Sequence, residues 1–215
     1  MKKVNFQKIF SEEEVALFKQ FKKPIDIQRF LNNIKYNPEN VTRSPRYVIQ
    51  KQVANCFEGA LFAAAALKFI GFKPLIVDMM AHNDDDHVIA VFKQNGFYGS
   101  VAKSNTTVLR FREPVYKTLR ELVMSYFDFY FNTFGEKTLR SYSNPVNLSR
   151  YDKDNWMTTE KDLEFIGDYL FEILHHQILD PKLKRNLSYA DKELIDLCFA
   201  ESVVEGLFIP KKKLK

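Results

Sequence analysis

Glycine is scarce here, with 7 in 215 residues, and none sits in a phosphate-cradling pattern, which argues against a nucleotide-binding loop. Cysteine is scarcer still. Cys56 and Cys198 lie far apart, which is no disulfide framework and fits a reducing compartment, so a cytoplasmic protein is expected. Long apolar runs are missing too: the longest, Ala60 to Leu67, is eight residues and ends at Lys68, whereas a spanning helix needs about 20. Met1-Lys2-Lys3-Val4-Asn5 opens on basic residues, but Gln7, Lys8 and Glu12-Glu13-Glu14 stand where a signal peptide requires an apolar stretch. No membrane association is expected.

Charge of one sign is also in short supply. Lys+Arg 32 against Asp+Glu 27 gives +5, and four of those charges are Lys211, Lys212, Lys213 and Lys215, behind Pro210. Without them the body carries only +1, so a nucleic-acid partner is not expected and the lysines read as a solvated end. What the chain does have is 46% hydrophobic residues, with 20 Phe and 10 Tyr, enough for a full core. One α+β domain over 1–210 with a basic tail at 211–215 is the expected organisation.

The patterning divides the chain. Ser11 before three glutamates is a helix N-cap, and Pro24 stops that helix and opens a second through Ile27, Phe30, Leu31 and Ile34. Asn37-Pro38-Glu39-Asn40 reads as a turn, followed by a polar stretch with Ser44-Pro45. A helix follows from about 54 to 70, ended by Gly71. Ala63 to Leu67 makes it apolar almost all round, the mark of a central buried helix. Pro74 to Met80 and His87 to Phe92 read as strands, and Asn95-Gly96 is a type I′ turn into Phe97 to Val101. From Val115 the period turns helical, with a stripe of Leu119, Leu122, Val123, Tyr126, Phe127 and Tyr130, and further helices are expected at about 159–179 and 189–205.

Cys56 stands at the start of the central helix, where unsatisfied N–H groups stabilise a thiolate. His87 stands at the start of a strand. A cysteine at a helix start followed by a histidine at a strand start is the pattern of an activated thiol nucleophile with its base. Glu58 favours the helix dipole, Lys103 reads as a surface lysine, and Arg110, Arg112 and Glu113 read as a structural ion-pair group rather than a substrate clamp. His82, Asp84, Asp85, Asp86 and His87 lack any specific ligand spacing, so a solvated turn is preferred to a metal site. His175-His176 reads as surface or packing on a helix, and Cys198 as core.

Three segments, Asn55-Cys56-Phe57-Glu58-Gly59-Ala60, Gly71-Phe72-Lys73-Pro74 and Asp86-His87-Val88-Ile89-Ala90-Val91-Phe92, resemble the core of the transglutaminase-like branch of the papain-like cysteine fold. The resemblance covers about residues 45–110, with helical additions at 1–44 and 115–208. Lys103-Ser104-Asn105, Leu109 to Tyr116 and Ser125-Tyr126-Phe127 are also similar to bacterial transglutaminase-like proteins of unassigned activity. It implies a Cys-bearing helix packed on a small antiparallel sheet that carries His and an acidic or amide third residue.

The chain departs from that pattern after Phe97-Tyr98, where no carboxylate follows. With a two-residue turn at Asn95-Gly96, Gln94 faces Phe97 and Ser104 falls opposite His87, so Asn105 or Ser104 is the candidate to orient the imidazole. Asp86 is a poorer one, since successive strand side chains point to opposite faces. Gln50, six residues before Cys56 as in papain-like chains, or Gln52 is the candidate oxyanion donor beside the Cys56 N–H. The implied function is a cysteine-dependent hydrolase or acyltransferase acting on an amide or ester of a peptide, protein or small molecule, with no cofactor or metal. The alternative is a catalytically silent domain of the same fold that binds a protein or peptide.

Overall fold

The structure, a computed structural model, describes residues 5–211. Met1 to Val4 and most of the expected basic tail, including Lys212, Lys213 and Lys215, lie outside the described residues.

The helical entrance follows its caps. Ser11 and Glu14 form a reciprocal capping box that opens α1 (Glu12–Gln20), and Pro24 occupies the first turn of α2 (Pro24–Asn33). A two-residue strand, β1 (Lys35–Tyr36), then pairs in parallel with β2 (Val53–Ala54). Between them the polar stretch with Ser44-Pro45 contains a helix, α3 (Pro45–Lys51), with proline again in the first turn. Gln52 ends it in the left-handed region, at φ +55°.

The central helix, α4 (Cys56–Phe69), falls within its expected bounds, and Gly71 leaves it at φ +99°. Every residue from Glu58 to Leu67 is buried. The seven-stranded sheet comprises β3 (Leu75–Ala81), β4 (His87–Gln94), β5 (Phe97–Val101), β6 (Arg112–Tyr116), β7 (Leu139–Ser143), β8 (Val146–Asn147) and β9 (His175–Gln177). Its order is β6-β5-β4-β3-β7-β9 with β8 also on β3, and its pairings are antiparallel. Gln94 faces Phe97 across the hairpin, as the Asn-Gly turn dictates.

Strand alternation divides the core. Ile76, Val88, Ala90 and Phe92 face α4, while Val77, Met79, Ile89 and Val91 face a second cluster with Leu122, Val123, Tyr126 and Tyr130. The aromatic stripe after Val115 is therefore core. Its helix is shorter than the pattern implies: residues 112–116 form β6, and only α5 (Leu119–Met124) is α-helical. The expected helix at 159–179 resolves into α6 (Glu164–Glu172) and strand β9, and that at 189–205 into α7 (Lys192–Phe199). Among the described residues no helix is long and apolar enough to cross a membrane.

Candidate functional site

β2 ends at Ala54, next to Asn55, the N-cap of α4, and Glu58 then fixes the first turn of that helix. Its buried carboxylate accepts from the Asn55 N–H at 3.0 Å, Asn37 Nδ2 at 3.0 Å and the Arg43 N–H at 3.2 Å. Asn55 Oδ1 returns the bond, accepting from the Glu58 N–H at 2.9 Å. Glu58 thus does more than favour the dipole: it pins the turn that presents Cys56. The half-buried Cys56 Sγ lies 4.0 Å from the Asp86 carbonyl oxygen, with the Val88 and Phe57 N–H groups directed at it. Burial nonetheless dominates and pushes the thiol up to about 12, against those two donors and with the charges of Asp85 and Asp78 adding to the rise.

His87 opens β4 and is buried there. Its Nε2 lies 2.9 Å from the Leu109 carbonyl oxygen, which can only accept, so Nε2 carries the proton and the lone pair is on Nδ1. Burial pushes the ring down to about 4, so it is neutral at pH 7. No hydrogen bond among the described residues joins Cys56 to His87. The resting pair is a neutral thiol and a neutral imidazole.

The expected orienting residues are occupied elsewhere. Ser104 Oγ bonds Thr106 Oγ1 at 3.0 Å, and the Asn105 amide clamps the backbone of Val203. Ser104 does not fall opposite His87, because the β4–β5 ladder ends at Ala90 against Val101. Beyond it, Gln28 bonds both backbone groups of Ala102, at 3.0 and 2.8 Å, and Lys103 Nζ donates to the Leu31 and Ile34 carbonyls at 2.9 and 2.6 Å. Lys103 is thus a buried cap on the end of α2, not a surface lysine. The His87 ring is held by the Leu109 backbone carbonyl instead, and no residue pattern announces a carbonyl.

The glutamines also differ from expectation. Gln50 Nε2 donates to Glu14 at 3.2 Å and Gln52 Nε2 to the Ile49 carbonyl at 2.6 Å, and neither residue lines the cleft that holds Cys56. Their distance in sequence from Cys56 is absorbed by α3 and its left-handed exit. Arg112 bonds Ser125 Oγ at 3.0 Å and covers the Tyr126 ring, and Arg110 bonds the Thr106 carbonyl; Glu113 forms no ion pair with either, so the expected ion-pair group does not form. Cys198 is buried on α7.

Cys56 and His87 line one cleft of about 1070 Å³, together with Ser104 and Asn105. The loop at 84–86 lines it too, and is not simply a solvated turn: Asp84 accepts from Thr138 Oγ1 at 2.7 Å and Asp86 from the Ala81 N–H at 2.7 Å. Burial pushes Asp84 up to about 6, and Asp78, which also lines the cleft, to about 6 as well. Sequence reasoning missed Asp78 and its partner His175, a strand residue whose Nε2 lies 3.1 Å from Asp78 Oδ2. Separated by 97 positions, the two share no local signal. Among the described residues no group of three His, Cys, Asp or Glu is arranged to hold a metal ion.

One wall of the cleft is the segment from Glu205 to Ile209, tied at both ends by asparagines. Asn105 accepts from the Val203 N–H and donates to its carbonyl, both at 2.9 Å. Asn83 does the same to Lys211, at 2.8 and 3.1 Å. In comparison with known proteins, no family model and no curated protein matches this chain.

Proposed function

We propose that this is a cysteine-dependent acyl-transfer enzyme, a hydrolase or acyltransferase for amide or ester bonds, on a transglutaminase-like core. One observation carries the reading: Cys56, first residue of a buried helix, and His87, with Nε2 fixed on Leu109 and its lone-pair Nδ1 without a hydrogen bond among the described residues, line the same cleft. When substrate fills the cleft, Nδ1 takes the Cys56 proton, Sγ adds to the carbonyl carbon, and the imidazolium returns the proton to the leaving amine or alcohol. Water or an amine then releases the acyl group. Catalytic contacts of this kind tighten in the substrate complex, so their absence at rest is compatible with the role. Backbone N–H groups of the first turn of α4 are the oxyanion donors on this reading.

The test uses p-nitrophenyl acetate and intact-mass measurement. Cys56 gains one acetyl group, Cys56→Ser gains none, and His87→Ala slows acylation at least about 100-fold, the usual worth of a positioned base. Acylation no faster than that of free cysteine, or an unchanged rate in His87→Ala, overturns the reading. The neutral, unbonded pair favours a second reading, a silent domain whose cleft binds a peptide, and that outcome supports it.

A further inference from the structure

The charges around the cleft run against the composition of the chain. The chain carries +5, yet among the described residues nine carboxylate residues and not one lysine or arginine line the cleft. They come from separate elements. Asp84, Asp85 and Asp86 belong to the loop before β4, whereas Glu164, Asp168 and Glu172 recur at four-residue spacing along α6, which places them on one helix face. None of these six takes part in an ion pair among the described residues; of the nine, only Glu39 and Asp78 do, with Arg43 and His175. Like charges gathered without counter-ions repel, and burial adds to the cost at Asp84.

The same cleft is lined by a buried titratable side chain with one ring nitrogen unbonded. His87 is 4% exposed, its Nε2 is held by the Leu109 carbonyl, and its Nδ1 makes no hydrogen bond among the described residues. The buried base and the carboxylates therefore share one cleft. Apolar Phe171 and Ile209, both well exposed, flank them. From this arrangement we infer that the substrate is cationic: an amide or ester bearing an ammonium or guanidinium group near the scissile carbonyl, seated between the 84–86 loop and the acidic face of α6. A low-dielectric cleft of one sign concentrates opposite charge and excludes its own sign, so anionic substrates are rejected. The inference rests on the proposed function for the word substrate, but not for the charge preference itself.

Methanethiosulfonate reagents read that preference directly. The Cys56 thiolate attacks the sulfenyl sulfur, a disulfide forms, methanesulfinate leaves and the thiol proton goes to solvent. Rates at Cys56, followed by peptide mapping of the full chain, are compared for the trimethylammonium-ethyl, sulfonato-ethyl and methyl reagents, each normalised to 2-mercaptoethanol. The normalised cation-to-anion ratio is expected to exceed tenfold at low salt, and to collapse in high salt as the Debye length contracts to about 3 Å at 1 M. Asp168→Asn with Glu172→Gln, both exposed positions, lowers the ratio at least threefold. A ratio near one, or one indifferent to salt and to the double variant, overturns the inference. Failure of the acyl-transfer reading shows instead in the acetylation of Cys56 and its dependence on His87, which this ratio does not enter.

Discussion

At the scale of single residues, burial outweighs the features that make Cys56 look reactive. Its place at a helix start was legible from Asn55-Cys56 and the alanine run behind it; the surroundings that raise its pKa come from residues 30 positions away. With the thiol near 12, alkylation by iodoacetamide should be slow at pH 7 and climb with pH without a plateau below about pH 10. A plateau near pH 7 refutes this. Asp84 makes a second test. Its carboxyl is raised to about 6 against an unfolded value near 3.8, so the folded chain binds the proton first and the charge lowers stability above pH 6. Asp84→Asn keeps an acceptor for Thr138 and should raise the melting temperature by about 2–4 °C at pH 7.5, with the gain fading by pH 4. His87 acts with the opposite sign: depressed to about 4, it contributes fully above pH 6.5 and its contribution is lost as pH falls toward 4.

Elements were legible where their signals are local and complete. Ser11, Pro24, Gly71 and Asn95-Gly96 each mark a boundary through cap or turn chemistry, and α1, α2, α4 and the β4–β5 hairpin lie where those residues put them. The outer strands were not legible. Leu139-Arg140-Ser141-Tyr142-Ser143 has one aliphatic residue, and His175–Gln177 is too short for any period; the first becomes a strand because β3 offers an edge, and the second because β7 then offers another. The tertiary environment likewise decides Lys103, whose side-chain stem packs against Gly59 of α4. A Cβ at Gly59 falls 2.3 Å from Lys103 Cβ, too close for either helix or strand exit to keep its place. Gly59→Ala should therefore destabilise the protein by about 1–3 kcal/mol despite its better helix propensity, read as a lower urea midpoint. A stabilised variant refutes the packing argument.

Across the whole molecule, α4 and α5 cover opposite faces of one antiparallel sheet, and the cleft opens where β4 begins. The +5 of the composition hides a local reversal at that cleft, invisible in sequence because Asp84 and Asp168 belong to elements that only the fold brings together. The segment from Val203 to Lys211 closes one side without joining the sheet. Asn105→Ala should speed chymotrypsin cleavage within 203–211 several-fold, since it removes two neutral hydrogen bonds of about 1 kcal/mol each from the clamp. Equal cleavage rates count against the clamp. Such a wall makes the shape of the cleft depend on two side-chain amides, because a molecule that meets Gly206–Ile209 meets a surface held at Asn105 and Asn83. The ordering of that surface is supplied by the fold, so binding does not have to supply it again.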